Sequence, residues 1–304
     1  MVPQPCATPE EPGREFDRIP AASLLAIGNE LLNGEIRDIN LHTLSRRLTR
    51  LGFNVRQAAI AQDTISDITA SLNFLLCREP DLLICCGGLG PTEDDRTLMA
   101  LAQALSRPLA PSATARRLIE SQYESLQAQG YLNHRGPEEA RSKMARLPED
   151  AKPLPNPVGT APGVKLQHGR TLIYVLPGVP AELEAIFDAS IIAELQARFE
   201  LGVWVEGSLR VHVDDEAEVA APLREVQGQH SAVYLKSLAQ PFPAASREGL
   251  RIIAAALARE EEAADKAVED ALYDLRRKLE DAGLQVSDMN RREDDTGTES
   301  CTDR

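Results

Sequence analysis

Nine consecutive residues, Gly87-Gly88-Leu89-Gly90-Pro91-Thr92-Glu93-Asp94-Asp95, combine groups that suit one kind of ligand. Glycines let a bulky anion approach the main chain without a Cβ in the way. Pro91 suits the first position of a helix, whose unpaired N–H groups and positive dipole end attract phosphate. The three acids, stacked within one predicted helical turn, complicate the picture. A carboxylate repels a phosphate by about 4 kcal/mol at 4 Å and an effective dielectric of 20. A divalent cation such as Mg²⁺ reverses that sign, and magnesium is commonly held by one or two carboxylates together with substrate phosphates. The segment therefore predicts a phosphate-bearing ligand accompanied by a divalent metal ion, with Asp94 and Asp95 as metal ligands. The plainer alternative is a tight turn whose acids cap a helix, and the nine residues alone do not choose between the two.

Three other stretches could join this site. Gly28-Asn29-Glu30-Leu31-Leu32-Asn33-Gly34, with Asp38 and Asn40 behind it, offers Glu30 and Asp38 as further metal ligands or as partners for a ribose hydroxyl. Its plainer meaning is a polar loop with Asn40 as a helix cap. Asn156-Pro157-Val158-Gly159-Thr160-Ala161-Pro162-Gly163 is by itself a rigid loop that permits close approach. Pro177-Gly178-Val179-Pro180 is a turn first and a phosphate contact second, ahead of a helix that begins with Glu182 and Glu184. Lys236, on an apolar strand, either faces outward or neutralises phosphate charge during reaction. The five histidines are scattered without ligand spacing, and no Ser/His/Asp set can be assembled.

Hydrophobic periodicity supplies the frame that must position these residues. Apolar runs at 23–27, 53–60 and 81–86 read as strands. Leucines and isoleucines at helical spacing mark helices after Asn40, after Asp63 or Thr64, and from Pro91 to Ser106. The alternation predicts an α/β fold, a mostly parallel sheet with helices on both faces, in which ligands settle at the carboxyl ends of strands. Gly28 and Gly87 both follow strands at that edge. Helices at 112–129 and 137–145, a covering loop at 148–162, a hairpin at 164–176 and a helix from Pro180 to about Phe199 complete a first domain over 21–200. A small α+β domain occupies 203–283. Residues 1–20 read as a disordered leader and 284–304 as a disordered tail.

Composition narrows the partners. The 304 residues carry a formal charge of −14, which disfavours nucleic-acid backbones and anionic membranes. No apolar run is long enough to span a bilayer. An acidic chain that binds phosphate must rely on local main-chain donors or on a cation. Five cysteines, none in a Cys-x-x-Cys pair, fit neither a disulfide framework nor a zinc site and agree with a reducing cytoplasm.

The four stretches occur in the order seen in the competence/damage-inducible CinA family, which the chain resembles over all but its two ends. Residues 21–200 resemble the molybdopterin-binding fold of MogA and MoaB. Residues 203–283 resemble the KH-like domain that follows in CinA, and Val233-Tyr234-Leu235-Lys236-Ser237 matches its characteristic strand. The resemblance implies metal-dependent hydrolysis of ADP-ribose to AMP and ribose 5-phosphate. Gly87, Gly88, Gly90 and Thr92 would hold phosphate, Asp94 or Asp95 would position the metal, and Asn156, Gly159 and Thr160 would line the pocket. It also implies no deamidase activity, because the deamidase domain of full-length CinA has no counterpart here. The KH-like segment lacks the Gly-x-x-Gly loop that clamps RNA, which leaves it to cover the ligand or support a homodimer. Two competing functions share the same residues: a pterin-binding or adenylyl-transferring protein of molybdenum cofactor metabolism, and a nucleotide-sensing module without turnover.

Overall fold

The computed structural model describes residues 19–213, 215–238 and 249–291. The chain divides into two compact units, Met1–Leu201 and Gly202–Arg304. In the first, β1 (Ala21–Ile27) leads through the short helix α1 (Asn29–Leu32) to α2 (Asn40–Arg50), β2 (Asn54–Ala61), α3 (Ile65–Leu76), β3 (Leu82–Cys86) and α4 (Thr97–Ala104). There follow β4 (Leu109–Pro111), α5 (Ala113–Ala128), α6 (Glu138–Met144), β5 (Arg146–Pro148) and β6 (Lys152–Leu154). The unit closes with β7 (Gly163–His168), β8 (Thr171–Leu176), α7 (Pro180–Ile186), a π-helical turn over Phe187–Ile191 and α8 (Ile192–Arg198).

The main sheet has the order β2-β1-β3-β8-β7-β6. Its first four strands are parallel, and β7 and β6 add antiparallel to β8. Strands β1, β3 and β8 are buried along their whole length, as a sheet covered on both faces requires. Their period-two alternation feeds two cores. Leu25, Leu83, Cys85 and Val175 pack with Ile68, Leu72, Leu101 and Ile119. Leu24, Ile84, Cys86 and Tyr174 pack with Leu44, Leu48, Leu183 and Phe187. At roughly 1.5–3 kcal/mol per buried aliphatic or aromatic side chain, these two layers hold the sheet edge in place. Strand β2, at the sheet's end, alternates exposed and half-buried residues instead.

Several sequence expectations change in detail. The helix expected from Pro91 begins only at Thr97. Its first turn is displaced because Thr92 and Asp95 close a local turn, with Asp95 N–H donating to Thr92 O at 3.1 Å. Consequently Glu93, Asp94 and Asp95 do not stack on a helix. Asn40 is not the cap of α2. Asp38 Oδ1 accepts from Leu41 N–H at 2.9 Å and does that work. Thr64 rather than Asp63 caps α3, accepting from Asp67 N–H at 3.2 Å. The covering loop at 148–162 contains β6, and β5 pairs antiparallel with β4. The helix expected from Pro180 to Phe199 is broken by its π turn.

The second unit consists of β9 (Val203–His212), a 3₁₀ turn (Glu216–Val219), α9 (Ala220–Gln229), β10 (Val233–Leu238), β11 (Leu250–Ala258), α10 (Glu261–Asp281) and β12 (Gln285–Arg291). Its antiparallel sheet has the order β10-β11-β9-β12. Val268, Leu272, Leu275 and Leu279 of α10 pack on Leu209, Val211, Ile252 and Ala254. Strand β12 corrects the expectation of a disordered tail from 284. Its main chain pairs with β9, whose edge would otherwise present open hydrogen-bonding groups. The rest of that tail, the leader through residue 18, Cys6 and Cys301 lie outside the described residues. No helix among the described residues is long and apolar enough to cross a membrane.

Candidate functional site

Parallel pairing brings four strand ends to one edge. Ala26 lies beside Cys86, and Cys86 beside Leu176, so the chain leaves β1, β3 and β8 side by side. Gly28 N–H donates to Ala61 O at 3.1 Å and Gly87 N–H to Leu176 O at 3.0 Å, extending the sheet one step past its strands. Gly87 has φ +105°, and a Cβ there would lie 2.2 Å from the Ile27 carbonyl oxygen. Gly88 has φ +65°, and a Cβ there would meet Thr97 Oγ1 at 2.2 Å. That hydroxyl donates to Gly87 O at 2.8 Å and anchors the start of α4. The first two glycines are therefore required by their own neighbours in the fold. Clearing a path for a ligand, the expected reason, is secondary.

In front of this edge lies a cleft of about 570 Å³, lined among others by Gly28, Glu30, Asp38, Asn40, Asp63, Gly87 to Pro91, Asp94, Asp95, Thr160, Pro177, Gly178 and Glu182. The N–H groups of Gly88, Leu89 and Gly90 have no hydrogen-bond partner among the described residues. Leu89 contributes main chain only, its side chain being buried in the core. The N-terminus of α2 also lines the cleft, and there Asn40 Nδ2 donates to Gly178 O at 2.7 Å. Asp38 Oδ2 is buried there without a partner. The unpaired main-chain donors thus come from the 88–90 loop, not from a helix beginning at Pro91.

Carboxylates form one rim. Asn29 N–H donates to Asp63 Oδ2 at 2.7 Å, which fixes Asp63 beside α1. Burial raises the Asp63 pKa above the usual value. The nearby carboxylates of Glu30, Asp94 and Asp95 add to the rise, and the Asn29 N–H opposes it. The Asp94 pKa is lowered, first by the Thr92 hydroxyl and its own N–H, then by Lys143 and Arg96. The Thr92 hydroxyl is within reach of both Asp94 and Asp95 (2.6 Å to Asp95 Oδ2), and its single proton serves one at a time. Thr92 N–H also donates to Asp95 Oδ2 at 2.9 Å, and Lys143 donates to Thr92 O. Among the described residues no three His, Cys, Asp or Glu side chains converge into a complete metal cage. The rim suits the magnesium mode instead, in which one or two carboxylates share the ion with ligand phosphates.

The 156–163 loop contributes Thr160 and Ala161 to the cleft lining. Asn156, only 7% exposed, uses its whole amide. Its Oδ1 accepts from Gly159 N–H at 2.8 Å and Val158 N–H at 3.2 Å, and its Nδ2 donates to Ala161 O at 2.8 Å and Glu182 Oε2 at 2.6 Å. Glu182 lies so close to Gly159 that a Cβ on the glycine would fall 2.1 Å from the carboxylate carbon. Burial raises the Glu182 pKa, and the Asn156 amide partly offsets the rise.

The cleft thus gathers Gly28, Glu30, Asp38, Asn40, Gly87, Gly88, Leu89, Gly90, Asp94, Asp95, Thr160, Pro177 and Gly178. Asn29, Thr92, Asn156 and Gly159 stand behind it, holding Asp63, the acidic turn and Glu182. Lys236 belongs to the second unit, exposed on the same face of β10 as Tyr234 and Leu238. Asp63 and Glu182 line the cleft and were not assigned to it from the sequence. Asp63 follows the end of a parallel strand, the same signal that singled out Gly28 and Gly87. Glu182 was legible only as an acid opening the helix after Pro177-Gly178-Val179-Pro180; its bond to Asn156, 26 residues away, was not.

Comparison with known proteins agrees with this architecture. Residues 23–197 match a family model described as a probable molybdopterin-binding domain. A protein of Thermococcus kodakarensis is 37% identical over 204 residues, covering 67% of this chain and 80% of its own. A protein of Aeropyrum pernix is 35% identical over 274 residues, 88% of this chain and 97% of its own. Among solved structures, the protein CinA from Thermoplasma acidophilum is 34% identical with a TM-score of 0.50, covering 56% of this chain and 95% of that one.

Proposed function

The chain belongs to the molybdopterin-binding domain family, resembling CinA within it, and we propose that its cleft binds a nucleotide-like phosphate compound and hydrolyses its pyrophosphate link with a divalent cation. ADP-ribose, giving AMP and ribose 5-phosphate, is the substrate of choice. The observation that carries this reading is the juxtaposition, in one cleft, of unpartnered amides at Gly88, Leu89 and Gly90 with the carboxylates of Glu30, Asp63, Asp94 and Asp95. Amides alone would suit any anion. Carboxylates alone would repel it. Together they suit a phosphate that arrives with a cation.

In this reading the loop amides hold phosphate oxygens, with Asn40 bonded to Gly178 beside them. A bound divalent ion supplies neutralisation of the phosphate charge and a more acidic water. Thr92 keeps Asp94 and Asp95 turned toward the cleft. Asp63 lines the cleft with a pKa raised first by burial and then by the neighbouring carboxylates, and it is placed to take up the proton released as water attacks phosphorus and the pyrophosphate P–O bond breaks. Incubation of the pure protein with ADP-ribose, with Mg²⁺ or with a chelator, tests this directly. AMP should appear only with the metal. A second reading is favoured by family membership itself: the same cleft holds a pterin phosphate without turnover. Tight pterin binding with no AMP formed under any divalent ion would select it.

A further inference from the structure

Glu182 is placed with unusual care for a residue that takes no part in the core. One carboxylate oxygen, Oε2, is held at 2.6 Å by Asn156 Nδ2, while the residue lines the cleft next to Thr160 and Ala161. The Asn156 amide cannot turn over, because main chain fixes both of its ends: N–H groups of Val158 and Gly159 at the oxygen, the carbonyl of Ala161 at the nitrogen. Gly159 leaves the carboxylate the space a Cβ would take. Asn156 and Gly159 do not line the cleft themselves. Their shared consequence is the aim of Glu182.

An ionised carboxylate accepts hydrogen bonds and donates none. Beside phosphate oxygens it is repelled, so its partner must lie on the other part of the ligand. We propose that Glu182, aimed by Asn156, reads the non-phosphate half of the ligand by accepting a hydrogen bond from an N–H or O–H of its heterocycle or sugar. Asn156 is accordingly a positioning residue. The inference rests on the proposed function only in placing the ligand in this cleft; it does not require hydrolysis.

Glu182→Gln is a sharp test. Asn156 donates, so the glutamine must offer its oxygen to Asn156 and turn its NH₂ toward the cleft. An acceptor becomes a donor with no change of size. Binding of AMP, ribose 5-phosphate and inorganic pyrophosphate, each with Mg²⁺ at pH 8, is measured by calorimetry. The Gln variant should bind AMP about 10-fold more weakly, with pyrophosphate affinity unchanged. Loss on ribose 5-phosphate as well as AMP locates the donor on the sugar; loss on AMP alone locates it on the ring. Asn156→Ala should weaken AMP in the same direction. Combining the two changes should cost no more than Glu182→Gln alone, since the glutamine is then free to turn, a result that a merely structural Asn156 would not give. Equal losses on all three probes, unchanged AMP affinity in the Gln variant, or no binding of any probe to the unaltered protein would overturn the inference. Absence of AMP production from ADP-ribose would defeat the hydrolytic reading and leave these binding ratios to stand on their own.

Discussion

The two glycine-rich loops that contribute to the cleft use similar residues and are built in opposite ways. Residues 87–95 are closed by partners three residues apart: Thr92 and Asp95 exchange side-chain and main-chain bonds on an exposed turn. Residues 156–163 are closed by one buried asparagine that also reaches Glu182 on α7. The first loop carries its chemistry on itself and leaves the N–H groups of Gly88, Leu89 and Gly90 without partners among the described residues. The second carries little chemistry and serves to aim a residue from elsewhere. A turn held by local bonds can change its side chains with modest loss of stability. A loop held by a single buried amide cannot, because removing that amide leaves main-chain groups without partners in the interior.

That contrast can be broken at several points. The largest effect should come from the acidic turn and should fall on activity. Asp94→Asn and Asp95→Asn should each lower Mg²⁺-dependent AMP release from ADP-ribose by roughly 100-fold. Their thermal unfolding should stay close to that of the unaltered protein, because an asparagine oxygen still accepts from Thr92. Unaltered turnover in both would remove the metal assignment. Next, Asn156→Ala should lower the unfolding free energy in urea by about 2–4 kcal/mol. Thr92→Val, on the exposed turn, should cost only about 0.5–1.5 kcal/mol. If Thr92→Val proved as costly as Asn156→Ala, the distinction between the loops would fail.

The smallest effect concerns pH. Burial raises the Glu182 pKa in the folded protein above its ordinary value of 4.5. Just above pH 4.5 the folded state therefore retains a proton that the unfolded state has released, and stability declines as pH rises through that window. Glu182→Gln removes the ionisation and keeps the bond to Asn156. Its stability relative to the unaltered protein should improve from pH 4 to pH 7. Urea midpoints of the two proteins across that range would show it, and a constant difference would mean that burial does not perturb the group.

Much of the first unit was legible because it follows from period and punctuation. Apolar runs gave β1 and β3, stripes of leucine gave α2 and α3, and the glycines after β1 and β3 marked the edge where the cleft opens. The start of α4 was misjudged because Pro91 and three acids make a good helix beginning in isolation. A bond between Thr92 and Asp95, and the anchoring of Thr97 on Gly87, outweigh that preference. Asp63 could have been found by applying the strand-end rule to β2 as it was applied to β1. Strand β12 was missed because 285–291 is polar, and its stability comes from the open edge of β9.

By itself the sequence determined which residues are apolar and at what period, and so which segments become strands of a covered parallel sheet and where their glycine-marked ends lie. Those are consequences of local sterics and of burial, which act on each segment alone. Only the tertiary structure decided what the polar residues do: that Asp38 rather than Asn40 caps α2, that Asn40 reaches Gly178, that Asp63 joins the acidic rim, and that Asn156 aims Glu182. A hydrogen bond depends on distance and direction, and its partner can be 138 residues away, as it is for Asn40. No pattern along the chain encodes that meeting until the sheet has brought the strand ends together.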